Sequence, residues 1–225
     1  MKIAVLGTGA VGRALAGRLS ALGHEVTIGT RDPRATLART GRDDMGNAPF
    51  SEWAAGHESV GLASYAQAAS TAELLVLATN GFGALPALEE AGAVHLAGKV
   101  LVDISNPLDF SAGFPPTLFV KDTDSLGEQL QRAFPEVRVV KTLNTMTADV
   151  MVDPASLGAE SSVFVSGDDA AAKHTVTELL ESFGHTDVID LGDISTARGT
   201  EMYLPIWLRL MGALGTASFN VKVVR

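Results

Sequence analysis

Residues 2–31, KIAVLGTGAVGRALAGRLSALGHEVTIGTR, decide the fold. Lys2–Leu6 is apolar after its first residue and reads as a buried strand. Gly7, Thr8, Gly9, Ala10, Val11 and Gly12 follow as G-x-G-x-x-G, and the chain then takes helical spacing through Val11, Leu15, Leu19 and Leu22. Gly23 closes that helix as a C′ glycine, and Glu25–Gly29 (EVTIG) reads as a second strand. A bare six-residue glycine pattern is weak in a chain with 23 glycines. Set between a strand and a helix, with a second strand about 20 residues on, it reads as a dinucleotide fingerprint. Gly7 permits the tight turn, Gly9 the approach of a pyrophosphate, and Gly12 the close packing of helix on strand, while the helix N-terminus faces the negative charge.

The end of the second strand separates the two nicotinamide dinucleotides. A site selective for NAD sets Asp or Glu there to bond the ribose hydroxyls. This chain has Thr30 and Arg31 instead, with Arg34 close by. A guanidinium can hold a 2′-phosphate through two parallel charge-assisted bonds, and a threonine hydroxyl adds a neutral donor. Thr8 lies close enough in this layout to add another. Asp32 either repels that phosphate or caps the next helix. The cofactor read from these residues is NADP(H).

Outward from this unit, apolar runs alternate with helical stretches. Strands are expected at 60–63, 74–78, 99–104, 138–143, 162–165 and 187–190. Helices are expected at 33–39, 51–55, 65–69, 85–97, 123–134 (Ser125 as a cap), 170–183 and 196–214. The segment 41–61 is the least regular, 105–116 is a loop rich in Pro and Gly, and 219–224 alternates again. Strands separated by helices predict an α/β fold with a largely parallel sheet. The pattern breaks near 147–158, which divides the chain into a nucleotide-binding part, 1–150, and closing elements, 151–225.

Composition narrows the function. The 225 residues, 46% hydrophobic, suffice for a sizeable core. The absence of cysteine removes thiol nucleophiles, disulfides and cysteine-held metals, and no histidine pair has metal-ligand spacing. A net charge of −9 argues against nucleic acid or an anionic membrane as partner, so an anionic cofactor must be held by a few local donors. The first apolar run is too short for a signal peptide, and 203–219 falls short of the roughly 20 residues of a spanning helix. The expected setting is cytoplasmic.

In parallel sheets ligands sit at the carboxyl ends of the strands. Those ends carry Thr79, Asn80 and Phe82; Ser105, Asn106 and Pro107; and Asn144, Thr145 and Met146. Amides and hydroxyls suit the placing of a carboxamide and a second planar ring. Hydride transfer between two rings needs mainly face-to-face placement, because the cofactors carry the electronic work. No catalytic acid or base is therefore assigned. Phe82 and Met146 either wall the ring stack or belong to the core. Lys141 either faces an anionic acceptor or reaches solvent, Asp103 bonds backbone groups with catalysis as the lesser alternative, and His57 is the one histidine considered near a substrate.

With both strand ends in view, the chain resembles the F420-dependent NADP oxidoreductases. The resemblance runs from residues 3–31 through LLVLAT (74–79), VLVDISNPL (100–108) and VVKTLNT (139–145), with weaker echoes in VFVSGDD (163–169) and the C-terminal helix. The NADP-binding domain of the STEAP ferric reductases is built on the same plan. The resemblance implies a single Rossmann-like domain with a small C-terminal helical subdomain, a homodimer, and hydride exchange between NADP and a deazaflavin. It puts the phosphate contacts on Thr8, Thr30 and Arg31. Relatives carry a Pro-Trp loop where this chain has Asn80-Gly81-Phe82, and a histidine where it has Asn144. The acceptor thus stays open among F420, FMN, FAD and another, quinone-like ring. The alternatives are a non-catalytic NADP-binding sensor or assembly protein, and a reductase of a small carbonyl or imine.

Overall fold

A computed structural model describes residues 1–42 and 46–225. Eight strands form one sheet: β1 (Lys2–Leu6), β2 (Glu25–Thr30), β3 (Gly61–Ser64), β4 (Leu74–Leu77), β5 (Val100–Asp103), β8 (Arg138–Thr142), β9 (Ser162–Ser166) and β10 (Asp187–Gly192). A separate antiparallel pair joins β6 (Leu108–Asp109), within the expected Pro- and Gly-rich loop at 105–116, to β7 (Thr117–Leu118), just past its end. The order across the sheet is β10-β9-β8-β5-β4-β1-β2-β3. All neighbours are parallel except β8 and β9, where Lys141 faces Ser166 and Thr142 faces Val165.

The helices are α1 (Ala10–Ala21), α2 (Pro33–Ala38), α3 (Phe50–Ala55), α4 (Tyr65–Thr71), α5 (Gly81–Ala91), α6 (Ala93–Leu96), α7 (Leu126–Ala133), α8 (Ala148–Val152), α9 (Ala170–Phe183), α10 (Ala197–Met202) and α11 (Leu204–Leu214). Two hydrophobic clusters lie on the two faces of the sheet. In one, Leu15 and Leu19 of α1 meet Ile3, Val5, Val26 and Ile28. In the other, Leu88 of α5 and Leu130 of α7 meet Leu75, Leu77 and Leu101. Each such side chain contributes about 1.5–3 kcal/mol on burial. Because both faces are covered, the central strands read as solid apolar runs and not as alternation.

Three expectations shift. The helix expected at 196–214 is two helices joined at Tyr203, because Pro205 has no N–H to give and its ring crowds the carbonyl four residues back. The helix expected at 85–97 begins earlier, at Gly81, and is divided by Gly92, whose φ is +85°. The segment 219–224 forms no strand. It lies against the start of β9 through Ser162 N–H to the Val221 carbonyl (2.8 Å) and Val223 N–H to Ser162 Oγ (2.9 Å). The break expected at 147–158 is where strand direction reverses. Between β8 and β9 stand only α8 and a 3₁₀ turn at Pro154–Leu157, and β9 re-enters from the end where β8 left. Among the described residues no helix is long and apolar enough to cross a membrane.

Candidate cofactor and acceptor site

The three glycines of the loop have different reasons to be glycine. Gly7 has φ +132°, and its N–H bonds the Gly29 carbonyl at 3.0 Å. A Cβ there would strike the Ala78 carbonyl oxygen, and a Cβ on Gly12 would strike the carbonyl oxygen of Gly7. The fold alone demands both. Gly9 is unlike them. Its φ of −72° and ψ of −178° suit any residue, and an added Cβ would meet nothing within 4 Å. It caps α1 without a side-chain bond, so the first N–H groups of that helix, at Ala10 and Val11, have no side-chain acceptor among the described residues. Thr8 is half-buried beside them.

At the end of β2, the Thr30 hydroxyl bonds that of Thr36 at 2.9 Å. Asp32 caps α2 by accepting from Ala35 N–H at 3.0 Å, which fixes its role as a cap. Arg31 has a side chain 75% exposed and touches Glu90 at 3.2 Å. Such a surface pair is worth about 0–1 kcal/mol and yields to a better anion. Arg34 is exposed.

The carboxyl ends of β4, β5 and β8 come together, but much of their polar chemistry is already used. Asn106 Nδ2 donates to the Asn144 carbonyl at 2.9 Å, and Asn144 Nδ2 donates to Asn106 Oδ1 at 3.0 Å and to the Thr200 carbonyl at 3.1 Å. Ser105 Oγ donates to Asp103 Oδ1 at 2.5 Å. Ser105, Pro107, Asn144, Thr145 and Met146 are buried, Met146 within the core. Asn80 caps α5 through Gly83 N–H at 2.8 Å. Thr79 Oγ1 is different again: it is buried and has no partner among the described residues. Phe82 is exposed and stacks on Phe119 at 4.4 Å between ring centres.

Beneath these loops lies a buried charge cluster. Lys141, fully buried, donates to Asp103 Oδ2 (2.9 Å), to Glu201 Oε1 (2.8 Å) and to the Ser105 carbonyl (2.5 Å). Glu201 also accepts the N–H groups of Leu126 (2.8 Å) and Gly127 (3.1 Å) at the start of α7. All three ammonium protons are thus engaged. Burial alone lowers the lysine pKa, but the Asp103 and Glu201 carboxylates outweigh it and hold it above the ordinary value. Lys141 therefore faces neither an acceptor nor solvent. It ties the Ser105 loop to α7 and α10. His57 stacks on Trp53 at 4.1 Å and lies against Gly17 of α1, a packing role away from the strand ends.

Several residues here escaped sequence reading. Arg13, in the first turn after the glycine loop, donates Nε to the Thr8 carbonyl (2.8 Å) and Nη1 to the Ala48 carbonyl (2.5 Å). Its position in the first turn of α1 was a usable signal. Glu201 and Phe119 reach the site from distant segments with no local signature.

The family model described as NADP oxidoreductase, coenzyme F420-dependent, matches residues 2–107. A crystal structure from Arthrobacter sp. FB24, whose own assignment as an F420-dependent NADP reductase is provisional, is 64% identical. It covers 100% of both chains with a TM-score of 0.95. The F420-dependent NADP reductase of Methanothermobacter marburgensis is 29% identical over 93% of this chain and 92% of its own length. The rat metalloreductase STEAP3 is 30% identical over 92% of this chain, which spans only 38% of that relative.

Proposed function

Because this chain belongs to the family of F420-dependent NADP oxidoreductases, we propose that it exchanges a hydride between NADPH and a flat ring acceptor, the deazaflavin F420 or a flavin. The coarser statement, that it is an NADP-dependent oxidoreductase, follows from the family itself. The observation that carries the reading is Gly9: the protein has no use of its own for a missing side chain there, whereas a pyrophosphate laid on the α1 N-terminus does. Thr8, Ala10 and Val11 would face that pyrophosphate, Thr30 and Arg31 the 2′-phosphate, and the unpartnered Thr79 hydroxyl the nicotinamide end. NADP supplies the hydride carrier when bound. The residues of the chain hold, orient and screen.

On the acceptor side, the stacked Phe82 and Phe119 offer an exposed aromatic surface beside Asn80 and Asn106, which suits a planar ring. A reductase of small carbonyls must protonate a developing alkoxide. Lys141, the lysine nearest the strand ends in sequence, has every donor engaged and supports no such role. The test mixes NADPH and protein anaerobically with F420, FMN or FAD, and in parallel with small ketones and imines. Rapid reduction of a ring acceptor is expected. Turnover of ketone or imine with every ring acceptor inert would overturn the reading.

We also assign a homodimer formed through α11. Along this apolar helix only Leu204 is fully buried, while Ile206 and Leu214 are 54% and 57% exposed. Sedimentation should give a dimer for the native chain and a monomer for Ile206→Glu with Leu214→Glu. A native monomer at micromolar concentration contradicts it. A reducing cytoplasm completes the proposal.

A further inference from the structure

We infer that Arg39 and Arg42 form a second basic wall of the cofactor site and read the 2′-phosphate of NADP together with Arg31. The inference rests on the reading that the chain binds NADP. It begins with a pocket of about 290 Å³ that opens beside Thr8 and Gly9 and is lined by Arg13, Arg39 and Arg42. Acidic residues outnumber basic ones in this chain by 26 to 17, and Arg132, Arg138, Arg198 and Arg225 each meet a carboxylate. Three arginines nevertheless line one pocket with no carboxylate among its described lining residues.

The three arginines do different work. Arg13 is a positioning residue. Its two bonds staple the Ala48 backbone to the Thr8 backbone, and its guanidinium lies 5.7 Å over the Phe50 ring. This holds the far wall of the pocket, Ala48 to Phe50, against the glycine loop. Arg42 spends one nitrogen on the Gly46 carbonyl (2.7 Å), and the rest of its fork has no bond among the described residues. Arg39 is exposed and makes no ion pair among the described residues. Thr36, whose hydroxyl bonds Thr30 at the end of β2, lines the same pocket and joins it to the ribose-reading end of the strand. The pocket therefore spans the space between the pyrophosphate-facing loop and the residues after β2. A dianionic phosphate is the ligand group that such unspent forks match. Arg31, held loosely by Glu90 at the surface, is one contact and not the whole site.

The test titrates the native chain and the variants Arg39→Ala, Arg42→Ala and the pair with NADPH, NADH, 2′,5′-ADP and 5′-ADP by calorimetry. Thermal melting verifies folding. Each single change should weaken NADPH and 2′,5′-ADP by about tenfold or more, as expected for a lost charge-assisted bond. NADH and 5′-ADP should hold to within about twofold, and Arg39→Lys with Arg42→Lys should recover part of the loss. Equal losses for phosphorylated and unphosphorylated ligands, or no loss at all, would overturn the inference. Failure of the native chain to bind NADPH or 2′,5′-ADP would instead defeat the NADP reading on which it rests.

Discussion

The glycine loop and the amide-rich strand ends both present polar groups at the same edge of the sheet, yet they are built in opposite ways. At the strand ends, Asn106 and Asn144 bond each other, Ser105 bonds Asp103, and Lys141 binds the assembly from below. At the glycine loop, the α1 N-terminus has no side-chain cap, Gly9 leaves open space, and Arg39 has no ion pair among the described residues. Buried polar groups must be bonded by something. Where the protein bonds them itself, the result is a rigid frame. Where they stand exposed and unspent among the described residues, as at Gly9, Ala10 and Arg39, they are open to a ligand.

The largest expected effect attacks the frame. Lys141→Met should destabilise the fold by about 3–5 kcal/mol, because it leaves Asp103 and Glu201 buried and facing each other without a cation. Chemical denaturation measures this. A loss under about 1 kcal/mol would mean the cluster is not the tie described. Since the folded-state lysine pKa is raised, this contribution is complete below the ordinary lysine value of about 10.4 and fades only as pH rises past the folded value.

Next comes the loop. Gly9→Ala should melt like the native chain, because nothing lies within 4 Å of the new methyl group, while binding of both NADPH and NADH falls below detection by calorimetry. Retained binding would show that the pyrophosphate does not lie there. Arg31→Ala is expected to be milder, with a cost of about 1.5–3 kcal/mol in NADPH affinity and little change for NADH. Equal loss for both would sink the assignment of Arg31 to the 2′-phosphate. The smallest effect is Glu90→Gln, which frees Arg31 from its surface pair and should tighten NADPH by about twofold to fivefold. Weaker NADPH binding in that variant would show that Glu90 orients Arg31 and does not compete for it.

How much of this the chain announces depends on range. β1, the glycine loop, α1 and β2 are legible because both faces of the strands are covered and each turn has a glycine that the backbone requires. The bounds of α9 are legible for the same local reason, with Asp169 capping its start and Gly184 in the left-handed conformation at its end. The reversal between β8 and β9 is not, since an apolar run carries no direction. The β6–β7 pair is hidden in a loop of turn residues. Thr30 and Arg31 draw notice from their place at the end of a strand, which is where β2 ends. Glu201 is 60 residues from Lys141, Arg39 ends a short expected helix and Arg42 lies in the least regular segment, so only folding brings the two arginines to one pocket.

Hydrogen exchange tests the central contrast most directly. In the free protein the amides from Thr8 to Val11 should exchange fast, and those from Ser105 to Asn106 and from Asn144 to Met146 slowly. Addition of NADPH should protect the glycine loop strongly and leave the already protected strand ends almost unchanged. Protection appearing at Ser105 and Asn144 while Thr8 to Val11 stayed as exposed as before would contradict the account.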